Sequence, residues 1–146
     1  PGRGRLFKGV KGSVLIDDSY NASPAAVTEA LGGLKELSIK HGARRIAVLG
    51  DMLELGDYSE QAHREIGKLL ADEGYGAVFT FGEAAKFIAK AAKENGVPFV
   101  KVCDSHLDMA MAYRDILTKG DVILVKGSRG LRMERVVEEL KEASSV

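Results

Sequence analysis

Five short apolar runs, at residues 14–16, 46–49, 77–81, 99–102 and 122–125, alternate with five stretches of helical periodicity. Most of the runs are continuous rather than alternating, the pattern of strands covered on both faces. Strict alternation of strand and helix leaves few solutions, and the favoured one is a parallel sheet between two helical layers. The chain has 146 residues, enough for one such domain with a sizeable core. The expected architecture is therefore α/β: three layers, αβα, over residues 1–146, with a mostly parallel sheet of about six strands.

The helical stripes read as follows. Val27, Ala30, Leu31 and Leu34 form the first, and Ala62, Ile66, Leu69 and Leu70 the second, on a helix begun by Ser59. Ala85, Ile88, Ala89 and Ala92 form the third, and Leu107, Ala110 and Met111 the fourth, behind a Ser105/Asp108 pair that resembles a capping box. Met133, Val136, Val137 and Leu140 form the last. Residues 5–10 and 13–18, separated by Lys11-Gly12, predict a hairpin that adds an edge strand at the N-terminal side. Ser23-Pro24 opens the first helix, with Ser at the N-cap and Pro in the first turn.

In this architecture right-handed crossovers bring the C-terminal ends of the parallel strands to one rim. Onto that rim fall Asp17-Asp18, Gly50-Asp51, Phe81-Gly82, Cys103-Asp104 and Lys126-Gly127-Ser128-Arg129. The first strand exit offers acceptors, suited to ribose hydroxyls or an amine. The last sets two cations and a hydroxyl before a helix N-terminus, a place that suits carboxylate or phosphate. Between them, Gly50-Asp51-Met52-Leu53-Glu54-Leu55-Gly56 carries two carboxylates for an ammonium group or a metal-bound water, and three apolar residues that call for a packing partner.

Several classes are excluded. Twenty-one basic residues balance 21 acidic ones, so no net field favours nucleic acid or an anionic membrane. The apolar runs are far too short to span a bilayer, and no leader pattern opens the chain. His41, His63 and His106 have no metal-ligand spacing, so no metal site is expected from them and each reads as a surface or cap residue; His63, close to the acidic loop, is the least bland. The lone Cys103 ends an apolar run and reads as buried filler in a reducing, cytoplasmic compartment. No G-x-G-x-x-G, no G-x-x-x-x-G-K-[ST] and no nucleophile elbow occurs, which disfavours a dinucleotide oxidoreductase and an autonomous ATPase. The chain opens on Pro1-Gly2-Arg3 without an initiator Met, so a piece of something longer is expected.

Three motifs in this order, Asp17-Asp18-Ser19-Tyr20-Asn21-Ala22-x-Pro24, Gly50-Asp51-Met52-x-Glu54-Leu55-Gly56 and Lys126-Gly127-Ser128-Arg129, resemble the Mur ligases of peptidoglycan synthesis. The likeness is strongest to the branch that adds D-alanyl-D-alanine to UDP-N-acetylmuramoyl-tripeptide. It covers the whole chain, but only the C-terminal third of such an enzyme. Ser23 stands where that branch usually has Asn, and Val27 where Met is common.

The resemblance implies a Rossmann-like domain that lacks the dinucleotide fingerprint and closes over a central ATPase domain and an N-terminal UDP-sugar domain. It implies ATP and Mg²⁺ as cofactors, the cation's ligands lying mainly in the central domain. It also implies that no catalytic set is complete in this chain, which alone would be inactive. By motif, Arg3 approaches the nucleotide phosphates, Asp18 the ribose, and Tyr20 and Asn21 the nearby nucleotide or hinge. Lys126, Ser128 and Arg129 hold the dipeptide, and Asp51 and Glu54 support the incoming amine or domain closure. Two other readings stay open: another amino-acid-adding ligase of the same family, and a receiver-like domain binding a cation or small molecule through Asp17, Asp18, Asp51 and Lys126.

Overall fold

The computed structural model describes residues 5–9, 12–17, 22–41, 43–116, 118, 120–127 and 134–140. The chain runs β1 (Arg5–Lys8), β2 (Val14–Asp17), α1 (Pro24–His41), β3 (Arg45–Gly50), a 3-10 turn (Gly56–Tyr58), α2 (Ser59–Asp72), β4 (Ala77–Phe81), α3 (Ala85–Glu94), β5 (Phe99–Val102), α4 (His106–Ile116), β6 (Val122–Lys126) and α5 (Glu134–Leu140). One six-stranded sheet has the order β1-β2-β6-β3-β4-β5. Its five inner and far-edge strands are parallel, and β1 pairs antiparallel with β2 at the edge, Leu6 opposite Ile16. The edge hairpin and the parallel sheet are those the sequence predicts.

Alternate residues of each central strand serve two separate cores, which is why the runs read as continuous. From β3, Ala47 and Leu49 face the layer that holds Val27, Leu31 and Leu34 of α1, Ile66 and Leu70 of α2, and Ile88 of α3. Ile46 and Val48 face the other layer, with Met109 and Tyr113 of α4 and Val137 and Leu140 of α5. Phe79 meets the rings of Phe99 and Tyr113 on that side, at centroid separations of 5.5 and 6.1 Å. The fourth helix departs from expectation. Met109, Ala110 and Tyr113 point inward, while Leu107 and Met111 are 54% and 57% exposed.

The strand order places the switch in winding direction beside β6. From β2 the chain crosses over β6 to β3 by way of α1, and from β5 it returns to β6 by way of α4 on the opposite face. Crevices at such a switch point, outside the C-terminal strand ends, are where open α/β sheets hold ligands. The opposite strand ends are locked by a buried ionic group. Asp121, 1% exposed, accepts from Arg44 Nε and Nη2 at 3.0 and 2.8 Å, from the Tyr113 hydroxyl at 2.9 Å and from the Thr118 amide at 3.0 Å. Arg44 also donates to the Ile116 carbonyl at the end of α4.

Candidate functional site

The three motif-bearing strands are neighbours. Asp17 closes β2 opposite Val125 of β6, and Lys126 closes β6 opposite Leu49 of β3, one residue before Gly50. Asp17, Gly50 and Lys126 therefore end on one rim, as right-handed winding requires. Lys126 is only 4% exposed despite its place at the edge. Asp18, Tyr20, Asn21, Ser128 and Arg129, together with Arg3, lie outside the described residues.

The helix that follows β2 starts as its sequence predicts. The Ser23 hydroxyl accepts from the Ala26 amide at 3.1 Å, satisfying one amide of the first turn. At the β5 exit, Ser105 Oγ accepts from the Asp108 amide at 3.0 Å, and Asp108 Oδ2 accepts from the Asp104 amide at 3.1 Å. The first bond is the cap read from the sequence; the second reaches the amide one residue before Ser105 rather than that of Ser105 itself, so the box closes one position early. Beside it, Phe81 stacks edge-on to His106 with centroids 4.9 Å apart. Cys103 is buried, and burial pushes its thiol up to about 12, which leaves it inert filler.

The loop after β3 is pinned at two successive residues. Asp51 Oδ1 accepts from the Ala85 amide at 2.7 Å, so the carboxylate caps a helix that starts 34 residues later. A Cβ on Gly82 would fall 2.3 Å from that same oxygen, and Gly82 has φ +108, so only glycine fits there. Met52, 2% exposed, donates its amide to His63 Nε2 at 3.0 Å. His63 Nδ1 in turn lies 2.7 Å from the Ser59 carbonyl. A backbone amide only donates, so Nε2 is the accepting nitrogen; the proton sits on Nδ1 and goes to the carbonyl. After these two anchors Leu53 is 48% exposed and Glu54 adopts φ +63, a left-handed conformation costly for a side-chain-bearing residue.

Of the three apolar loop residues, then, Met52 is core, Leu55 packs against it and Leu53 is presented outward. Asp51 has a structural duty that sequence spacing did not show, since its partner is remote in sequence. His63 was the other missed residue. Its signal was present: it sits on the same inward stripe as Ala62, Ile66 and Leu70, so a folded α2 had to bury it.

Among the described residues no three His, Cys, Asp or Glu side chains group to hold a metal ion. No helix among them is long and apolar enough to cross a membrane. A groove of about 640 Å³ lies between α2 and α3, lined by Glu60, Arg64, Glu65, Lys68 and Glu94 among others. Its charges pair with one another, Arg64 reaching Glu60 at 2.9 Å and Glu94 at 3.8 Å.

Residues 2–129 match the family of the Mur ligase, glutamate ligase domain. The UDP-N-acetylmuramoyl-tripeptide–D-alanyl-D-alanine ligase of Bacillus subtilis is 39% identical over 142 residues, 94% of this chain and 30% of that protein. Its Escherichia coli counterpart is 35% identical over 143 residues, 95% and 30% of the two chains. The crystal structure of MurF ligase from Thermotoga maritima in complex with ADP superposes with a TM-score of 0.76 at 33% identity, over 95% of this chain and 30% of that one. The chain thus spans about a third of the length of the relatives it matches.

Proposed function

The chain belongs to the Mur ligase family through its glutamate ligase domain, and on that premise we propose that it is the C-terminal domain of the ligase that adds D-alanyl-D-alanine to UDP-N-acetylmuramoyl-tripeptide with cleavage of ATP. The rim carries this reading: the exits of β2, β6 and β3, each bearing one of the three motifs, stand side by side. The relatives named for the same reaction support the choice of acceptor over another amino acid. The ADP-bound relative supports a nucleotide as one ligand. Residues 1–146 form one domain of a longer cytoplasmic enzyme and pack against its UDP-sugar and ATPase domains.

In this reading Arg3, Asp18, Tyr20 and Asn21 face the nucleotide. Lys126, Ser128 and Arg129 hold the dipeptide carboxylate through charge-assisted hydrogen bonds. Asp51 and Glu54 give the acceptor side a negative field that favours the ammonium end of the dipeptide. The tripeptide carboxylate attacks the terminal phosphate of ATP, giving an acyl phosphate and releasing ADP; the dipeptide's ammonium end gives up its proton to water, and the amine so formed attacks the acyl carbon, phosphate leaving as the amide forms. The domain's part is to present that amine and to exclude water as it closes. Among the described residues no set of three carboxylate, imidazole or thiol side chains gathers to hold Mg²⁺.

The test is the Arg129→Ala variant of the full enzyme. It raises KM for the dipeptide by about tenfold or more, the scale of one charge-assisted pair, and leaves KM for ATP nearly unchanged. Equal effects on both substrates overturn the assignment. A receiver-like role predicts discrete Mg²⁺ binding without nucleotide, which a titration followed by NMR reads directly.

A further inference from the structure

The loop between β3 and α2 is immobilised from below at Asp51 and Met52, and its next two residues are the ones it displays. Asp51 is tied to the first turn of α3 and Met52 to the ring of His63 on α2. The His63 ring is fully buried, and both its nitrogens are engaged with main-chain groups of opposite polarity. That arrangement fits one tautomer only: with the proton on Nε2 instead, a donor would face the Met52 amide and an acceptor the Ser59 carbonyl. Glu54, two residues past the anchor, holds a left-handed backbone that a glutamate adopts only when its surroundings impose it.

We propose that His63 is a positioning residue of the acceptor side: as the Nδ1-protonated neutral tautomer it clamps Met52 and so sets the left-handed backbone that presents Glu54 to the dipeptide amine. The inference rests on the reading of this rim as the dipeptide-binding edge. His63 touches no substrate; it acts through the main chain of Met52. Its contribution is therefore geometric, and it disappears when the ring keeps its volume but loses its acceptor nitrogen.

The experiment uses the full-length ligase labelled with ¹⁵N-histidine and ¹⁵N-methionine. Long-range proton–nitrogen correlation at neutral pH shows His63 as the Nδ1-protonated tautomer; an Nε2-protonated or doubly protonated ring overturns the proposal. In His63→Phe the Met52 amide exchanges with solvent faster by on the order of tenfold or more, whereas an unchanged rate overturns the clamp. The same variant raises KM for D-alanyl-D-alanine by about fivefold, what one hydrogen bond of ordinary net strength carries, with KM for ATP unmoved. His63→Gln, which restores an acceptor near the Nε2 position, recovers most of that loss and keeps the proposal testable if the phenylalanine variant folds poorly. A freed Met52 amide with an unmoved dipeptide KM overturns the positioning role. If Glu54→Gln leaves that KM unmoved as well, the fault lies in the reading of the rim rather than in His63.

Discussion

Asp121 shows how much one side chain can carry. Its two oxygens take four hydrogen bonds, three of them on Oδ2, from Arg44, Tyr113 and the amide of Thr118. Its carbonyl also accepts from the Val14 amide, so β2, β3, β6 and the end of α4 meet at this residue. Hydrogen bonding to Asp121 is what raises Arg44 above its ordinary value. Replacing one oxygen by an amide leaves a donor facing donors and Arg44 without its countercharge. Asp121→Asn therefore destabilises the chain by about 3 kcal/mol, the lower end for breaking a buried pair, because Arg44 keeps some contact with water. The urea midpoint of the variant checks it. None of this was legible beforehand: an Asp just before an apolar run looks like any turn residue, and its partners are up to 77 positions away.

At the scale of elements, α2 and α3 lie so close that a Cβ on Gly67 would meet the Ile88 carbonyl oxygen at 2.4 Å and the Ala91 Cβ at 2.7 Å. In an open helix Gly→Ala gains roughly 0.5–1 kcal/mol. Here the backbone oxygen cannot step aside, and overpacking of this kind costs about 1–3 kcal/mol. Gly67→Ala is thus destabilising, while Gly33→Ala in α1, where nothing lies within 4 Å, is stabilising. Thermal unfolding of the two variants gives opposite shifts. Strands were legible at this scale because burial on both faces makes them uniformly apolar. The rotation of α4 was not. Residues 107, 110 and 111 and residues 109, 110 and 113 are two overlapping apolar arcs on one helix, and only the position of Phe79 and Ile123 across the sheet decides which arc turns inward. The candidate site was legible as a rim, since winding alone dictates it; the anchoring of its loop was not, because both anchors join segments that periodicity treats separately.

Across the whole molecule, two phenols report on folding. Tyr75 and Tyr113 are both raised above the usual tyrosine value of 10, chiefly by burial. Tyr75 donates to the Leu31 carbonyl at 2.5 Å and Tyr113 to Asp121. Ionisation is therefore easier in the unfolded chain than in the folded one. The stabilisation this represents is whole below pH 10 and declines as pH climbs past it, because the unfolded state loses protons the folded state retains. The melting temperature falls above pH 10, and it falls less steeply when both residues are Phe; a scan from pH 8 to pH 11 with both proteins checks the slope.

Strand β6 connects two regions with different duties, the ionic group at Asp121 before it and the rim at Lys126 where it ends. At about 3.3 Å per residue they stand well beyond 10 Å apart, a distance at which substitutions act independently. Under the proposed function, selection can thus retune acceptor preference at one extremity while foldedness is underwritten at the other, which leaves a lineage free to drift in specificity without eroding its tolerance to heat.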